Sequence, residues 1–99
     1  ASEIFANAVR DFDRGAIIGE KTFGKGIMQT TYTLTDKSAV KFTTAYVVDK
    51  NGETYHEKGI EPDIKVTLPD EINERYYFMT DDEDTQLQAA VDYLAKSIK

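Results

Sequence analysis

A lysine set between two glycines, Gly24-Lys25-Gly26, is the segment of this sequence best suited to chemistry. Glycine has no Cβ, so the backbone on either side of Lys25 can approach another element closely. A lysine carried into a dry site by such a backbone loses its proton readily, because burial disfavours the ammonium. The neutral amine can then take a proton from a serine hydroxyl, which is the chemistry of a Ser/Lys hydrolase. The same pattern also fits a solvated loop lysine, and Lys25 alone does not decide between the two. Other candidates are weaker. His56 is the sole histidine and lacks a neighbouring acid and serine pattern, which reads as a structural or exposed role. The run Asp81 to Asp84 lacks the alternating Asp-x-Asp-x-Asp-Gly spacing of a calcium loop and instead suits the N-terminus of a helix. Ser2 stands where a helix begins and reads as its N-cap, accepting a first-turn amide.

The elements that must position these residues can be read from periodicity. Ile4, Phe5, Ala8, Val9 and Phe12 recur at helical spacing from Ser2 to about Asp13, with Gly15 as the expected terminator. Ala16-Ile17-Ile18 reads as a short buried strand ending at Gly19. Glu20 to Gly26 reads as a loop, so that Lys25 follows directly from that strand. Ile27 to Leu34 and Ala39 to Val48 are rich in β-branched and aromatic residues and should pair across Thr35-Asp36-Lys37-Ser38. Asn51-Gly52 suggests a type I′ turn and a second hairpin returning through Glu53 to His56. Ile64, Val66 and Leu68 alternate as in a half-buried strand. Leu87, Ala90, Val91, Leu94 and Ile98 mark a closing amphipathic helix. Between them Tyr76 to Met79 form an apolar cluster, expected to pack on the sheet or to meet a further part of a larger protein.

These elements make an α/β segment with an N-terminal helix, several β-strands and a C-terminal helix. With 99 residues, 40% hydrophobic, the chain has room for one small core whose stability a partner surface would raise. A net charge of −6 and the absence of a dense basic run argue against nucleic acid as a partner. There is no apolar run long enough to span a bilayer and no cysteine for a disulfide framework or a thiolate zinc site.

Five ordered blocks resemble the carboxyl-terminal processing proteases, also called tail-specific proteases. They are Ala-Ser-Glu-Ile-Phe-Ala at the start, Gly-Glu-Lys-Thr-Phe-Gly-Lys-Gly at Gly19 to Gly26, Lys-Phe-Thr-Thr-Ala at Lys41 to Ala45, Lys-Gly-Ile-Glu-Pro-Asp at Lys58 to Asp63, and Asp-Thr-Gln-Leu-Gln-Ala-Ala at Asp84 to Ala90. The resemblance implies that residues 1–99 are the C-terminal part of a ClpP/crotonase-like catalytic domain in a serine endopeptidase that cleaves proteins near their C-termini. It implies Lys25 as the general base, Gln29 as the residue that orients it, and Asp11 at an acidic position implicated in some members, where a solvated surface carboxylate is the competing reading. The nucleophile would be the first serine of Ser-Ala-Ser-Glu, standing immediately before Ala1, and the Ala1 amide would be one oxyanion-hole donor. The isolated segment, which starts on a helical turn, is then expected to be inactive. No metal or organic cofactor is implied. The implied partners are polypeptide C-termini, the upstream half of the catalytic domain and a PDZ domain. The implied setting is bacterial, in the periplasm or at the outer face of the membrane. A noncatalytic alternative is a β module that binds peptides or associates with itself through an exposed sheet edge.

Overall fold

The computed structural model describes residues 1–98. The elements run α1 (Ser2–Asp11), β1 (Ile18–Gly19), β2 (Ile27–Thr33), β3 (Ala39–Tyr46), β4 (Ile64–Lys65), α2 (Asp70–Asn73), a 3-10 turn at Tyr76–Phe78, and α3 (Thr85–Ser97). None of the described helices is long and apolar enough to cross a membrane. Instead of the single core expected from chain length, the contacts separate into two compact units. One comprises Ala1–Gly15 and Thr22–Ile60, and the other comprises Ala16–Lys21 and the chain from Glu61 onward.

In the first unit α1 begins one residue earlier than the Ser2 cap reading requires. The Ala1 carbonyl already accepts the Phe5 N–H at 3.0 Å, so Ala1 is the N-cap and Ser2 the first helical residue, with no side-chain cap bond. The helix also stops without Gly15. Asp13 takes a left-handed φ of 51°, and the N–H groups of Asp13 and Arg14 bond back to the carbonyls of Arg10 and Val9. That is a Schellman end with aspartate in the place usually given to glycine. The apolar stripe of α1 is not its covered face. Asn7 is the buried residue, whereas Phe5 and Phe12 are each 72% exposed.

β2 and β3 form the expected antiparallel hairpin, with Thr33 opposite Ala39 and Ile27 opposite Tyr46. Asp36 closes the turn by accepting from the backbone and hydroxyl of Ser38, and these bonds hold its carboxyl below the usual range. A bulge sets Met28 against Ala45 and Gln29 against Thr43, so Thr44 is the extra residue. The second hairpin is reduced to one bridge, Val48 to Thr54. Its turn is built on Asp49, whose carboxylate accepts the N–H groups of Asn51 and Glu53. Gly52 alone takes a positive φ there, so the turn is not type I′, which needs both central residues left-handed. The large apolar side chains buried in this unit are Tyr55 and Ile60, at 7% and 2% exposure.

In the second unit β1 and β4 pair in parallel, Ile18 opposite Ile64 and Gly19 opposite Lys65. Around this short pair, Ile17 O accepts from Asp63 N and Ile64 N, and the Val66 N–H reaches Gly19 O. The Ala16-Ile17-Ile18 run is therefore half-buried rather than enclosed, with β4 its only strand neighbour among the described residues. Asp84 caps α3 by accepting from Gln86 N and Leu87 N, the use expected of the acidic run. Gln86 Nε2 donates to Val66 O at 2.9 Å, which fixes the first turn of α3 beside β4. Tyr76, Tyr77 and Phe78 do not pack on a sheet. They are exposed, with the two tyrosine rings 4.0 Å apart.

Glu83 holds Arg75 through two bonds of 2.9 and 2.6 Å and accepts from Thr80 N. The Arg75 hydrogen bonds, then the Thr80 bond, bring its carboxyl down from 4.5 to about 2. The folded value lies below the unfolded one, so the contribution is complete above about 4.5 and fades as pH falls toward 2. The expected result is a lower melting temperature for Glu83→Gln in the intact protein at neutral pH, with the difference from wild type closing in acid. A difference independent of pH would show that the pairing does not operate in solution.

Candidate active site

The first unit brings the start of α1, the Thr22–Ile27 segment and Tyr55 around an open cleft of about 600 Å³. Ala1, Ser2, Glu3, Thr22, Lys25 and Tyr55 all line it. Two glycines put Lys25 there. At Gly24, φ is +90° and a Cβ would stand 2.7 Å from Gly59 N; at Gly26 a Cβ would stand 2.6 Å from His56 N. Both glycines are buried, while Lys25 between them is exposed toward the cleft it lines. The backbone is further held by Glu57 N, from the same turn, donating to Gly24 O, and by Val47 N donating to Gly26 O. The close backbone approach expected from Gly-Lys-Gly is therefore present, and the element approached is the turn from Tyr55 to Gly59.

Glu3 ties this loop to the first turn of α1. Its carboxylate accepts the Gly24 N–H at 2.5 Å and the Lys25 N–H at 2.9 Å. Partial burial raises its pKa, but the hydrogen bonds from Thr22, Gly24 and Lys25 outweigh that, and the carboxyl lies below its ordinary value. Tyr55 is buried alongside, and burial, followed by the negative charge of Glu3, pushes its phenol upward. Glu3 lies off the apolar stripe of α1, so periodicity gives it no role; the signal for it is its place three residues after the expected serine, on the first turn of a helix whose start is itself a candidate site.

The remaining expected residues lie apart from this cleft. Gln29 is exposed on β2 at the bulge and does not line the cavity with Lys25. Asp11 accepts from the Asn7 side chain at 3.1 Å and from Lys50 N at 2.9 Å, so its carboxylate fastens α1 to the Asp49 turn rather than remaining solvated. His56 is half-buried against Tyr46, with ring centroids 5.8 Å apart, in keeping with a structural role. A smaller cavity of about 190 Å³, lined in part by Arg10, Asp49 and Lys58, carries no residue singled out for chemistry.

A lysine and a helix N-terminus thus face one cleft, and the Glu3 carboxylate on that helix accepts the backbone amides of the lysine loop. The chain belongs to peptidase family S41, whose model matches residues 1–66. Its relatives are carboxyl-terminal processing proteases. A probable CtpA-like serine protease of Staphylococcus haemolyticus is 45% identical over 69 residues, covering 70% of this chain and 14% of the relative. The corresponding protein of Staphylococcus epidermidis is 42% identical with the same coverage. Among solved structures, the photosystem II D1 C-terminal processing protease superposes with a TM-score of 0.62 at 41% identity, covering 69% of this chain and 18% of that one. The chain thus spans about one seventh of the length of these curated relatives. The family match ends before α3, so the resemblance noted at Asp84 to Ala90 lies outside it.

Proposed function

We propose that this chain is the lysine-bearing part of a serine endopeptidase that cleaves polypeptides near their C-termini. The observation that carries this reading is the pair of bonds from Gly24 N and Lys25 N to Glu3, which turn the lysine loop toward the start of α1. The attacking serine stands immediately before Ala1 in the longer protein. Lys25 takes the serine Oγ proton while Oγ bonds to the substrate carbonyl carbon. The resulting oxyanion receives the Ala1 N–H and a second donor from upstream. As the tetrahedral intermediate collapses, the C–N bond breaks and the amine leaves with the proton from Lys25. Water then hydrolyses the acyl-enzyme by the same proton path in reverse. Gln29 orients Lys25 once the hairpin is seated against the rest of the protein.

The exposed aromatic residues of α1 and the apolar hairpin face formed by Met28, Tyr32, Val40 and Phe42 support a larger domain that covers them. An upstream PDZ domain would deliver the substrate tail, and the enzyme would be a bacterial one working outside the cytoplasm. The test is turnover of an unstructured tail peptide by the intact protein, by its variant with the preceding serine replaced by alanine, and by residues 1–99 alone. Cleavage by the first only is the expected result. Comparable cleavage by the serine variant would remove the Ser/Lys assignment and favour a noncatalytic peptide-binding role for this segment.

A further inference from the structure

Phe23 is 91% exposed, more than any other large apolar side chain among the described residues. It stands two positions before Lys25 and lines the same cleft. Its backbone is nonetheless fixed on both sides. Thr22 N donates to Ile60 O at 3.1 Å, Ile60 N donates to Thr22 Oγ1 at 2.8 Å, and Gly24 N donates to the Glu3 carboxylate at 2.5 Å. An aromatic ring held this way without burial adds little to the stability of its own unit, since the gain from an apolar side chain scales with the surface it removes from water. Ile4, Ala6 and Ile27 line the cleft with it. Charged groups and an apolar surface therefore share one cleft, the former being Glu3 and Lys25 and the latter drawn from α1 and from both sides of Gly24-Lys25-Gly26. By contrast Phe5 and Phe12, and the hairpin residues Met28, Tyr32, Val40 and Phe42, are exposed but do not line it.

We propose that Phe23, with Ile4 and Ile27 beside it, is the specificity-determining surface of this cleft and takes an apolar side chain of the substrate next to the bond that is cut. This rests on the reading of Lys25 as the general base. A base must come within about 3 Å of the hydroxyl it deprotonates, so the scissile carbonyl is bound in the cleft that Lys25 lines. An extended substrate advances about 3.5 Å per residue, which keeps the side chains on either side of that carbonyl inside the same cleft. A leucine there leaves water against the ring, whereas a serine must surrender hydration without a polar partner on that surface. Because the Phe23 backbone is already anchored, little order has to be imposed when the substrate binds.

The experiment uses the intact protein and a pool of unstructured peptides with one fixed C-terminal tail and a randomised internal segment. Cuts are mapped by mass spectrometry, and kcat/KM is then measured on a leucine and a serine version of the favoured site. The expected cuts are flanked by Leu, Ile, Met or Phe, with the leucine peptide preferred by about 10-fold or more. Phe23→Ala is expected to bring that preference below about threefold while kcat/KM for the serine peptide stays within about twofold, and Phe23→Leu to keep the preference within about threefold of wild type. No apolar preference in the wild type, or an unchanged preference in Phe23→Ala, would overturn the proposal. Equal losses on both peptides would overturn it too, since a ring that only supports the fold does not discriminate between substrates. Should Phe23→Ala fail to fold, Phe23→Gln, which keeps much of the volume and removes the apolar surface, is read by the same ratio. Cleavage by Lys25→Ala would instead dismiss Lys25 as the base, and an inactive Lys25→Ala beside an unchanged preference in Phe23→Ala dismisses Phe23 alone.

Discussion

Replacing Lys25 by alanine in the intact protein is expected to abolish peptide cleavage, lowering kcat by about 10⁴- to 10⁶-fold, the range seen when one member of a concerted nucleophile–base unit is removed. The loss should come without unfolding. The side chain of Lys25 is exposed in the cleft, and the backbone bonds that seat the loop come from the N–H groups of Gly24 and Lys25, which alanine retains. Stability is therefore expected to change by less than about 0.5 kcal/mol, as for other surface substitutions. Lys25→Arg separates charge from proton transfer. A guanidinium keeps the positive charge but does not deprotonate in proteins, so it cannot accept the serine proton and should be as inactive as alanine. Turnover by Lys25→Arg near the wild-type rate would mean that position 25 supplies charge rather than a base.

The sequence made the hairpin, the capped last helix and the glycine-flanked lysine legible, because each depends on neighbours within a few residues. Asp84 caps α3 through bonds to residues two and three positions on, and β2 and β3 meet across the five residues Leu34 to Ser38. What stayed hidden depends on distant partners or on competition between local options. Nothing local reveals that Glu3 accepts from residues 21 and 22 positions away, or that Asp11 accepts from Lys50, 39 positions away. The Schellman end at Asp13 outcompeted the glycine expected to stop α1, and the Asp49 carboxylate claimed the amides that a type I′ turn would have arranged otherwise. The apolar periodicity of α1 identified its helix correctly but not its covered face. Asn7 is turned inward, bonded to Asp11, and the aromatic stripe is left exposed.

Gly26→Ala is expected to cost the fold heavily. The added Cβ would stand 2.6 Å from His56 N, 2.9 Å from His56 Cα and 3.1 Å from His56 Cβ. Two of these atoms are backbone and cannot rotate aside. Relief requires separating the Lys25 loop from the Tyr55–Gly59 turn, which would stretch the 2.9 Å bond from Glu57 N to Gly24 O. Overpacking of this kind costs about 1–3 kcal/mol, and loss of that backbone bond adds about 1 kcal/mol. A domain with only a few kcal/mol of margin would be largely unfolded by that sum. Gly52→Ala supplies the control. Its φ of +81° makes alanine strained, yet nothing lies within 4 Å of the added Cβ, so the cost is limited to about 1–2 kcal/mol of backbone strain. Urea unfolding of the intact protein should therefore rank Gly26→Ala well below Gly52→Ala. With the loop displaced, any folded Gly26→Ala protein should also lose kcat, whereas Gly52→Ala should retain it. Equal midpoints for the two variants would mean that the loop and the turn are not in contact in solution, and that the glycines flanking Lys25 serve some purpose other than close approach.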